Sequence, residues 1–144
     1  MPIQPIRRAS FRLMIRRVEP PFSNNLEEEL NWICQSLGFF EVIDKEKTAA
    51  AVFKEIVTAT ENGQALTSTA IADQVGMSRG AVINHLNNLL RSGLVVRHGR
   101  YYSSRSKSMV RTIEEIEEDI DRIFDKIKNR AKQIDEKQGL SVEE

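Results

Sequence analysis

Asparagine and arginine side chains are concentrated between residues 78 and 91. This stretch contains three asparagines, two arginines and no acid. An asparagine amide can form two hydrogen bonds with the edge of adenine, and an arginine guanidinium can do the same with guanine. A glycine near the start of a helix lets its backbone approach a phosphate closely, so we expect these residues to bind DNA. The candidates are Ser78, Arg79, Gly80, Asn84, Asn87, Asn88 and Arg91.

The apolar residues of the same stretch predict how a helix would present these side chains. Val82, Leu86, Leu89 and Leu90 form one stripe at 100° per residue, which leaves most of the candidates on the opposite side. Asparagine is a mediocre helix former, and an internal glycine costs about 1 kcal/mol relative to alanine. A solvated polar surface explains any single asparagine. The whole set favours contact with bases and backbone.

Capping residues predict a helix-turn-helix around this face. Thr67 is a candidate N-cap for a helix that ends at Val75, and Gly76 can adopt the positive φ that terminates it. Ser78 can then cap the next helix after a very short turn. Such a turn forces the two helices to cross, so their apolar faces must be buried together.

A third helix and a β-hairpin are predicted on either side. Asp44 is a candidate N-cap for a helix that carries apolar residues from Ala49 to Val57 and ends at residues 61–63. After Gly93 the pattern changes to two short β-type runs, 94–97 and 100–103, separated by two residues. The expected order is therefore helix, helix-turn-helix, hairpin.

The predicted hairpin carries a further set of DNA-binding candidates. His98-Gly99 between two β-type runs indicates a type I′ turn, which would place Arg97 directly opposite Arg100. Like charges so placed repel, and a bound phosphate would relieve the repulsion. We expect Arg97, His98 and Arg100 to contact phosphates or the minor groove. The alternative is that the arginines extend into water at little cost.

These elements resemble a known family. The residues that carry the resemblance are Ala72, Gly76, Met77, Val82, Leu86, Leu90, Gly93 and Leu94. Their spacing is similar to that in winged helix-turn-helix transcriptional regulators of the ArsR-like and MarR-like superfamily of bacteria and archaea, over residues 44 to 105. The resemblance implies a recognition helix from Ser78 to Ser92 and a wing centred on His98-Gly99. It implies nothing about a small-molecule effector, and the helix STAIADQV lacks the cysteines of ArsR-like metal sensors.

Charge is distributed unevenly along the chain. The whole sequence has 21 basic and 21 acidic residues, yet residues 77–113 contain seven basic residues and no acid. These are Arg79, Arg91, Arg97, Arg100, Arg105, Lys107 and Arg111. The segregation predicts a cationic patch suited to a DNA backbone.

The first 22 residues contain five arginines against one acid, Glu19. They predict either a basic arm that supplements DNA binding or a strand from Phe11 to Val18 on the wing or on a partner subunit. The next helix is predicted to begin after Asn25, with Glu28 in the capping-box position, and to bury Leu26, Leu30, Ile33 and Leu37. Trp32, Phe39 and Phe40 are interpreted as packing residues, and Cys34 as a small buried hydrophobe.

The last segment carries an apolar stripe at alternating four- and three-residue steps. It consists of Met109, Ile113, Ile116, Ile120, Ile123, Ile127 and Ile134, with Arg130 as the one polar break. A helix from Met109 to Ile134 would be about 39 Å long, which is too long to hide the whole stripe against a small core. We predict a homodimer through this helix, in parallel or antiparallel orientation. The alternative is that the stripe folds back on the helix at residues 25–37.

Together these patterns predict a mainly α fold with a small β-hairpin. The expected parts are a basic arm or strand (1–22), a winged helix-turn-helix domain with an extra N-terminal helix (23–105), and a coiled-coil-like helix and tail (106–144). The expected function is that of a homodimeric, sequence-specific transcriptional regulator of double-stranded DNA. The alternative is a winged-helix protein-interaction module within a transcription or chromosome-maintenance assembly.

Other function classes find no support in the sequence. His85 and His98 have no partners at zinc-ligand spacing, there is no phosphate-binding glycine-rich loop, and no catalytic group of residues is visible. We therefore expect no enzymatic activity, no metal and no cofactor. The sequence also predicts no signal peptide and no membrane span, and the single cysteine fits the cytoplasm.

Overall fold

A computed structural model describes residues 14–38 and 47–140, which form five helices and three short strands. The elements are α1 (Leu26–Leu37), α2 (Thr48–Glu61), β1 (Leu66–Thr67), α3 (Ser68–Val75), α4 (Arg79–Ser92), β2 (Val95–His98), β3 (Tyr101–Ser104) and α5 (Met109–Lys137). The predicted fold class, mainly α with a small antiparallel hairpin and a long C-terminal helix, is confirmed.

The helix-turn-helix follows from the caps predicted for it. The hydroxyl of Thr67 accepts a hydrogen bond from the backbone N–H of Ala70, and α3 ends at Gly76, whose φ is 70°. The hydroxyl of Ser78 accepts a bond from the N–H of Ala81 and opens α4. These local bonds confirm the short turn and fix the crossing of α3 and α4.

The core lies between α2 and the helix-turn-helix. Phe53 and Ile56 of α2, Ile71 of α3, and Val82 and Leu86 of α4 are fully buried in one apolar cluster. The predicted apolar stripe of α4 and the predicted apolar residues of α2 therefore belong to the core. Burial of this stripe sets the rotation of α4 about its axis and so determines which of its side chains face outward.

The sheet has the strand order β1-β3-β2, with all pairs antiparallel. The short strand β1, which the sequence did not predict, pairs Leu66 with Tyr102. It pairs with the β3 edge of the hairpin and leads directly into α3, so it connects the wing to the helix-turn-helix.

The predicted hairpin register is wrong by one residue. Arg97 pairs with Tyr102 and His98 pairs with Tyr101, so the two-residue turn is Gly99-Arg100 and the two arginines do not face each other. A type I′ turn at His98-Gly99 would need positive φ at both residues, which is costly for histidine. In the observed turn Gly99 comes first with φ 63° and Arg100 does not have positive φ, which is the pattern of a type II′ turn.

The start of α1 confirms one predicted cap and corrects another contact. The side chain of Asn25 accepts hydrogen bonds from the N–H groups of Glu27 and Glu28. The N–H of Asn25, however, donates to the hydroxyl of Ser23, and the carboxylate of Glu28 binds the Lys47 ammonium at 3.1 Å. Glu28 therefore does not complete a capping box, because a cation across the α1–α2 junction takes its carboxylate.

Two further predictions for α1 and α2 need correction. Leu26 is half exposed rather than buried, whereas Leu30 and Cys34 are buried, and Ile33 and Leu37 pack against the core. Leu26 opens the first turn of the helix, before α1 reaches the core. The helix α2 begins at Thr48 after Lys47, and its predicted cap, Asp44, lies outside the described residues, as do Phe39 and Phe40.

Residues 14–20 run beside α1, to which two hydrogen bonds join them. The backbone N–H of Arg16 donates to the carbonyl of Ser36 at 2.8 Å, and the indole Nε1 of Trp32 donates to the carbonyl of Val18 at 2.9 Å. Residues 14–18 form no strand on the wing of the same chain, so that alternative is wrong for them, and a strand on a partner subunit stays a prediction; residues 1–13 lie outside the described part of the chain.

The helix α5 divides its apolar stripe between two environments. Ile116 is 1% exposed and belongs to the same cluster as Leu30 and Cys34 of α1, and Met109, Ile113 and Ile120 pack against that cluster. Beyond them, Ile123, Phe124, Ile127 and Ile134 are between 45% and 59% exposed. The prediction that Ile116 contacts a second subunit is wrong, because this residue completes the core of its own chain.

Within the described ranges, no helix combines the length and apolar character that crossing a bilayer requires.

Candidate nucleic-acid interface

The outward face of α4 gathers most of the predicted recognition residues. Asn84, Asn87 and Arg91 follow one another at three- and four-residue steps and are all exposed. Ser78, Arg79 and Gly80 are exposed at the N-terminal end of the same helix, and Asn88 is half-buried at the margin. The face therefore presents amide and guanidinium groups along its length and open backbone at its start.

The neighbouring histidine belongs to the interior side of α4. The Nε2 atom of His85 lies 3.0 Å from the hydroxyl of Thr48, at the first residue of α2. This hydrogen bond links the middle of α4 to α2 and holds the outward face in place. His85 is a positioning residue rather than part of the exposed face.

Gly80 leaves open space beside α4. A Cβ atom built at this position meets nothing within 4 Å, and the residue does not have positive φ. Neither a packing contact with the described residues nor a strained backbone therefore requires glycine here. The open space lies next to Ser78 and Arg79, where the helix N-terminus favours an anion.

Arg79 is held between the two helices of the helix-turn-helix. Its Nε donates a hydrogen bond to the hydroxyl of Ser68 at the start of α3, at 3.3 Å. The residue nevertheless remains exposed. Its charge is thereby fixed near the N-termini of both α3 and α4, where it adds to the positive end of each helix.

The wing tip presents two arginines supported by tyrosines. The guanidinium of Arg97 lies 5.4 Å from the centre of the Tyr102 ring and donates to the carbonyl of Gly99. The guanidinium of Arg100 lies 5.8 Å from the centre of the Tyr101 ring. Stacking on an aromatic ring orders an arginine without neutralising its charge.

The wing also contains a residue that the sequence prediction omitted. Tyr101 is 45% exposed beside Arg100 and the exposed His98, with which it pairs across the hairpin. Its ring and hydroxyl are therefore available at the same tip. An aromatic residue directly after the turn glycine and arginine was a visible signal for it.

Two of the seven cations in the predicted basic patch are neutralised by α5. Arg105 forms salt bridges with Asp119 at 2.6 Å and with Glu115 at 3.3 Å. Arg111 forms them with Glu115 and Glu118, both at 3.3 Å. The prediction of seven available charges is wrong, because the acidic stretch of α5 lies against this end of the patch.

The other five cations of the patch are free of such pairs within residues 14–38 and 47–140. They are Arg79, Arg91, Arg97, Arg100 and Lys107, and all are exposed. Four of the five belong to α4 and the wing tip, so the available positive charge is concentrated on the predicted recognition elements.

An ion pair outside the interface perturbs one carboxyl group. The hydrogen bond and the charge of Lys47, with a smaller contribution from a hydrogen bond to Ser23, hold the pKa of Glu28 below its ordinary value of 4.5.

In the described part of the chain, no group of three or more His, Cys, Asp and Glu side chains is arranged to hold a metal ion.

The comparison with known families agrees with this geometry. Residues 58–96 match the family model described as winged helix-turn-helix DNA-binding. The match runs from the end of α2 through α3 and α4 into β2, and it supports DNA as the partner of this domain. No curated protein and no solved structure matches the chain significantly. The resemblance to ArsR-like and MarR-like regulators stays a prediction.

Proposed function

We propose that the protein is a sequence-specific transcriptional regulator that binds double-stranded DNA as a homodimer. The single observation that carries this proposal is the exposed row of Asn84, Asn87 and Arg91 beside a wing tip whose two arginines form no ion pair with the described residues. The row lies in the part of the chain that matches a winged helix-turn-helix DNA-binding family.

The helix α4 is the element proposed to enter the major groove. That groove admits an α-helix, and the hydrogen-bonding pattern of each base pair is distinct there. Asn84 and Asn87 are suited to adenine, and Arg91 is suited to guanine. Ser78, Arg79 and Gly80 would contact phosphate at the helix N-terminus, as the open space around Gly80 allows.

The wing is proposed to contact phosphates or the minor groove on the flanking DNA. Arg97 and Arg100 extend from the tip with their charge available, and His98 and Tyr101 are exposed beside them. Arginine inserted into a narrow minor groove is attracted by its negative potential. These contacts would add affinity that depends strongly on salt, whereas α4 would supply most of the sequence preference.

The second half of α5 is the proposed homodimer contact. Ile123, Ile127 and Ile134 are about half exposed, together with Phe124. An apolar stripe of this length on a projecting helix is stabilised by pairing with another helix. Two copies would present two recognition helices to a pseudo-palindromic site. The location proposed for such a regulator is the cytoplasm.

The experiment is selection of bound sequences from random duplexes, together with the mass of the protein in solution. The expected result is a dimer that enriches two inverted half-sites, and an Asn84→Ala, Arg91→Ala variant that no longer enriches them. A protein that binds all duplexes equally, or binds none, would overturn the proposal.

The exposed stripe on α5 also favours a second candidate function. A different protein chain with a complementary apolar helix would cover Ile123, Ile127 and Ile134 equally well. The winged helix would then be an interaction module of a larger transcription or chromosome-maintenance assembly. A monomeric mass combined with the absence of DNA selectivity would support this candidate.

A further inference from the structure

We infer that two copies of the chain pair their α5 helices in antiparallel orientation around Ile127. This inference rests on the proposed homodimer and specifies its geometry. It derives from three features of α5, which are the limits of its exposed stripe, the position of Arg130 and the order of its charged blocks.

The limits of the exposed stripe fix the centre of the contact. The core of the same chain covers Ile116 fully and Ile120 in part, and the stripe then continues to Ile134. Ile127 is midway between Ile120 and Ile134. A two-fold axis through Ile127, perpendicular to the helix, would place Ile120 beside Ile134 of the partner copy and Ile123 beside the partner's Ala131.

Arg130 decides between the two orientations. It is the polar break in the stripe, at the position where the heptad pattern otherwise places an isoleucine. In a parallel, in-register pair the two Arg130 guanidiniums would face each other in the contact. In the antiparallel pair each Arg130 faces Phe124 of the other copy, and an arginine over an aromatic ring is attracted to it.

The charged blocks of α5 favour the same orientation. Residues 114–121 contain six acids and no base, although four of these acids already pair with arginines of the same chain, and residues 126–132 contain four bases and no acid. Parallel pairing would set each block against its own copy. Antiparallel pairing around Ile127 moves the acidic block opposite residues 133–140, which contain two acids and one base, so the net charge that faces the block falls from −6 to −1 and Glu117 faces the partner's Lys137. It also sets the basic block against residues 122–128, which contain three bases and one acid, so the net charge that faces the block falls from +4 to +2.

The antiparallel pair also places its two winged-helix domains at a spacing that suits DNA. An α-helix rises about 1.5 Å per residue, so Ile116 and its copy would lie about 33 Å apart along the helix axis. Half-sites one turn apart on DNA are separated by about 34 Å. The two winged-helix domains would therefore be anchored to α5 at a spacing close to one turn of the duplex.

The experiment uses cysteine cross-linking in the full chain. Cys34 is first replaced by alanine, and Ile123→Cys and Ala131→Cys are introduced separately into this background. Under oxidation, a mixture of the two proteins is expected to form a cross-linked heterodimer. Each protein alone is expected to form little, because eight residues of helix, about 12 Å, separate identical positions in the antiparallel pair.

Two outcomes would overturn the inference, and they are distinguishable. Efficient self-cross-linking of the Ala131→Cys protein would indicate a parallel pair and leave the proposed homodimer intact. A monomeric mass for the parent chain would remove the homodimer itself.

A second measurement uses a position outside the apolar stripe, so it keeps the inference testable if a cysteine variant within the stripe fails to fold. A spin label at Lys137→Cys in the Cys34→Ala background is expected to lie roughly 30 Å from its copy in the antiparallel pair, measured along the helix axis. A label-to-label distance below about 20 Å would fit parallel helices instead.

Discussion

The wing tip and the start of α5 carry the same kind of charge but differ in what surrounds it. Arg97 and Arg100 lie over tyrosine rings, which leave their charge available to a partner. Arg105 and Arg111, only a few residues later, are bound by carboxylates of α5. The difference shows that the charge of a sequence segment and the charge that its folded surface offers to DNA are separate quantities.

The most direct way to break this comparison is to remove each pair of arginines in turn. The double variant Arg97→Ala, Arg100→Ala should lose two phosphate contacts, which lowers the salt slope of log K by about 1.8 and the affinity by about 60-fold at 0.1 M salt. Titration of a fluorescent duplex at several salt concentrations measures both quantities.

The matched control is the double variant Arg105→Ala, Arg111→Ala. Because α5 already neutralises these charges, we expect an unchanged salt slope and a lower thermal stability from the lost ion pairs. If the control double variant lost as much DNA affinity as the wing variant while still folded, the comparison between the two regions would fail.

A second prediction tests whether the outward face of α4 recognises the base sequence of DNA in addition to attracting its phosphates. Asn84→Ala should reduce discrimination between cognate and random duplexes by roughly tenfold, since a bidentate contact to adenine contributes about 1–3 kcal/mol. Competition binding with both duplexes measures the ratio. Asn129→Ala, an exposed asparagine on α5, is the control and should leave the ratio unchanged.

Gly80 provides a third prediction with effects in two directions. Gly80→Ala should raise the free energy of unfolding by about 1 kcal/mol, because alanine is the better helix former and its Cβ meets no neighbour. The same methyl group should weaken DNA binding several-fold by holding a phosphate away from the helix backbone. Chemical denaturation and duplex titration of one preparation measure both effects. A variant that is more stable and binds DNA as tightly as the parent would show that no phosphate approaches Gly80.

The smallest predicted effect concerns the ion pair between Glu28 and Lys47, which is another neutralised cation. Because the folded pKa of Glu28 lies below 4.5, this pair stabilises the fold above that pH and stops doing so as the pH falls through the folded pKa. Glu28→Gln should therefore lower the melting temperature slightly at pH 7 and leave it unchanged at the acidic limit. Melting curves across that range test the sign, and a difference that grows on acidification would contradict it.

Much of the fold was predictable because its signals are local. The caps Thr67 and Ser78, the terminating Gly76 and the apolar stripe of α4 each depend on residues within a few positions, and the structure confirms them. The exposed face opposite that stripe followed directly from helical periodicity. This is why the exposure of the α4 candidates was predictable, with only Asn88 at the margin.

The remaining features depend on contacts between distant parts of the chain. The strand β1 has two residues, too few for a periodic pattern, and it forms because β3 lies beside it. The turn contains one glycine, and a single glycine does not indicate whether it takes the first or the second position. The pairing of Arg105 requires α5 to fold against the wing. By contrast, Arg111 lies three, four and seven residues before its acidic partners, so its neutralisation was visible in the sequence.

The hydrogen bond between Trp32 and Val18 has a practical consequence. Trp32 is the only tryptophan of the chain, and its indole holds the segment of residues 14–20 against α1. The emission wavelength of the native protein therefore reports on the polarity around this one ring. Detachment of the segment would expose the indole to water and shift the emission to the red, so ordinary fluorimetry can follow this event without any added dye.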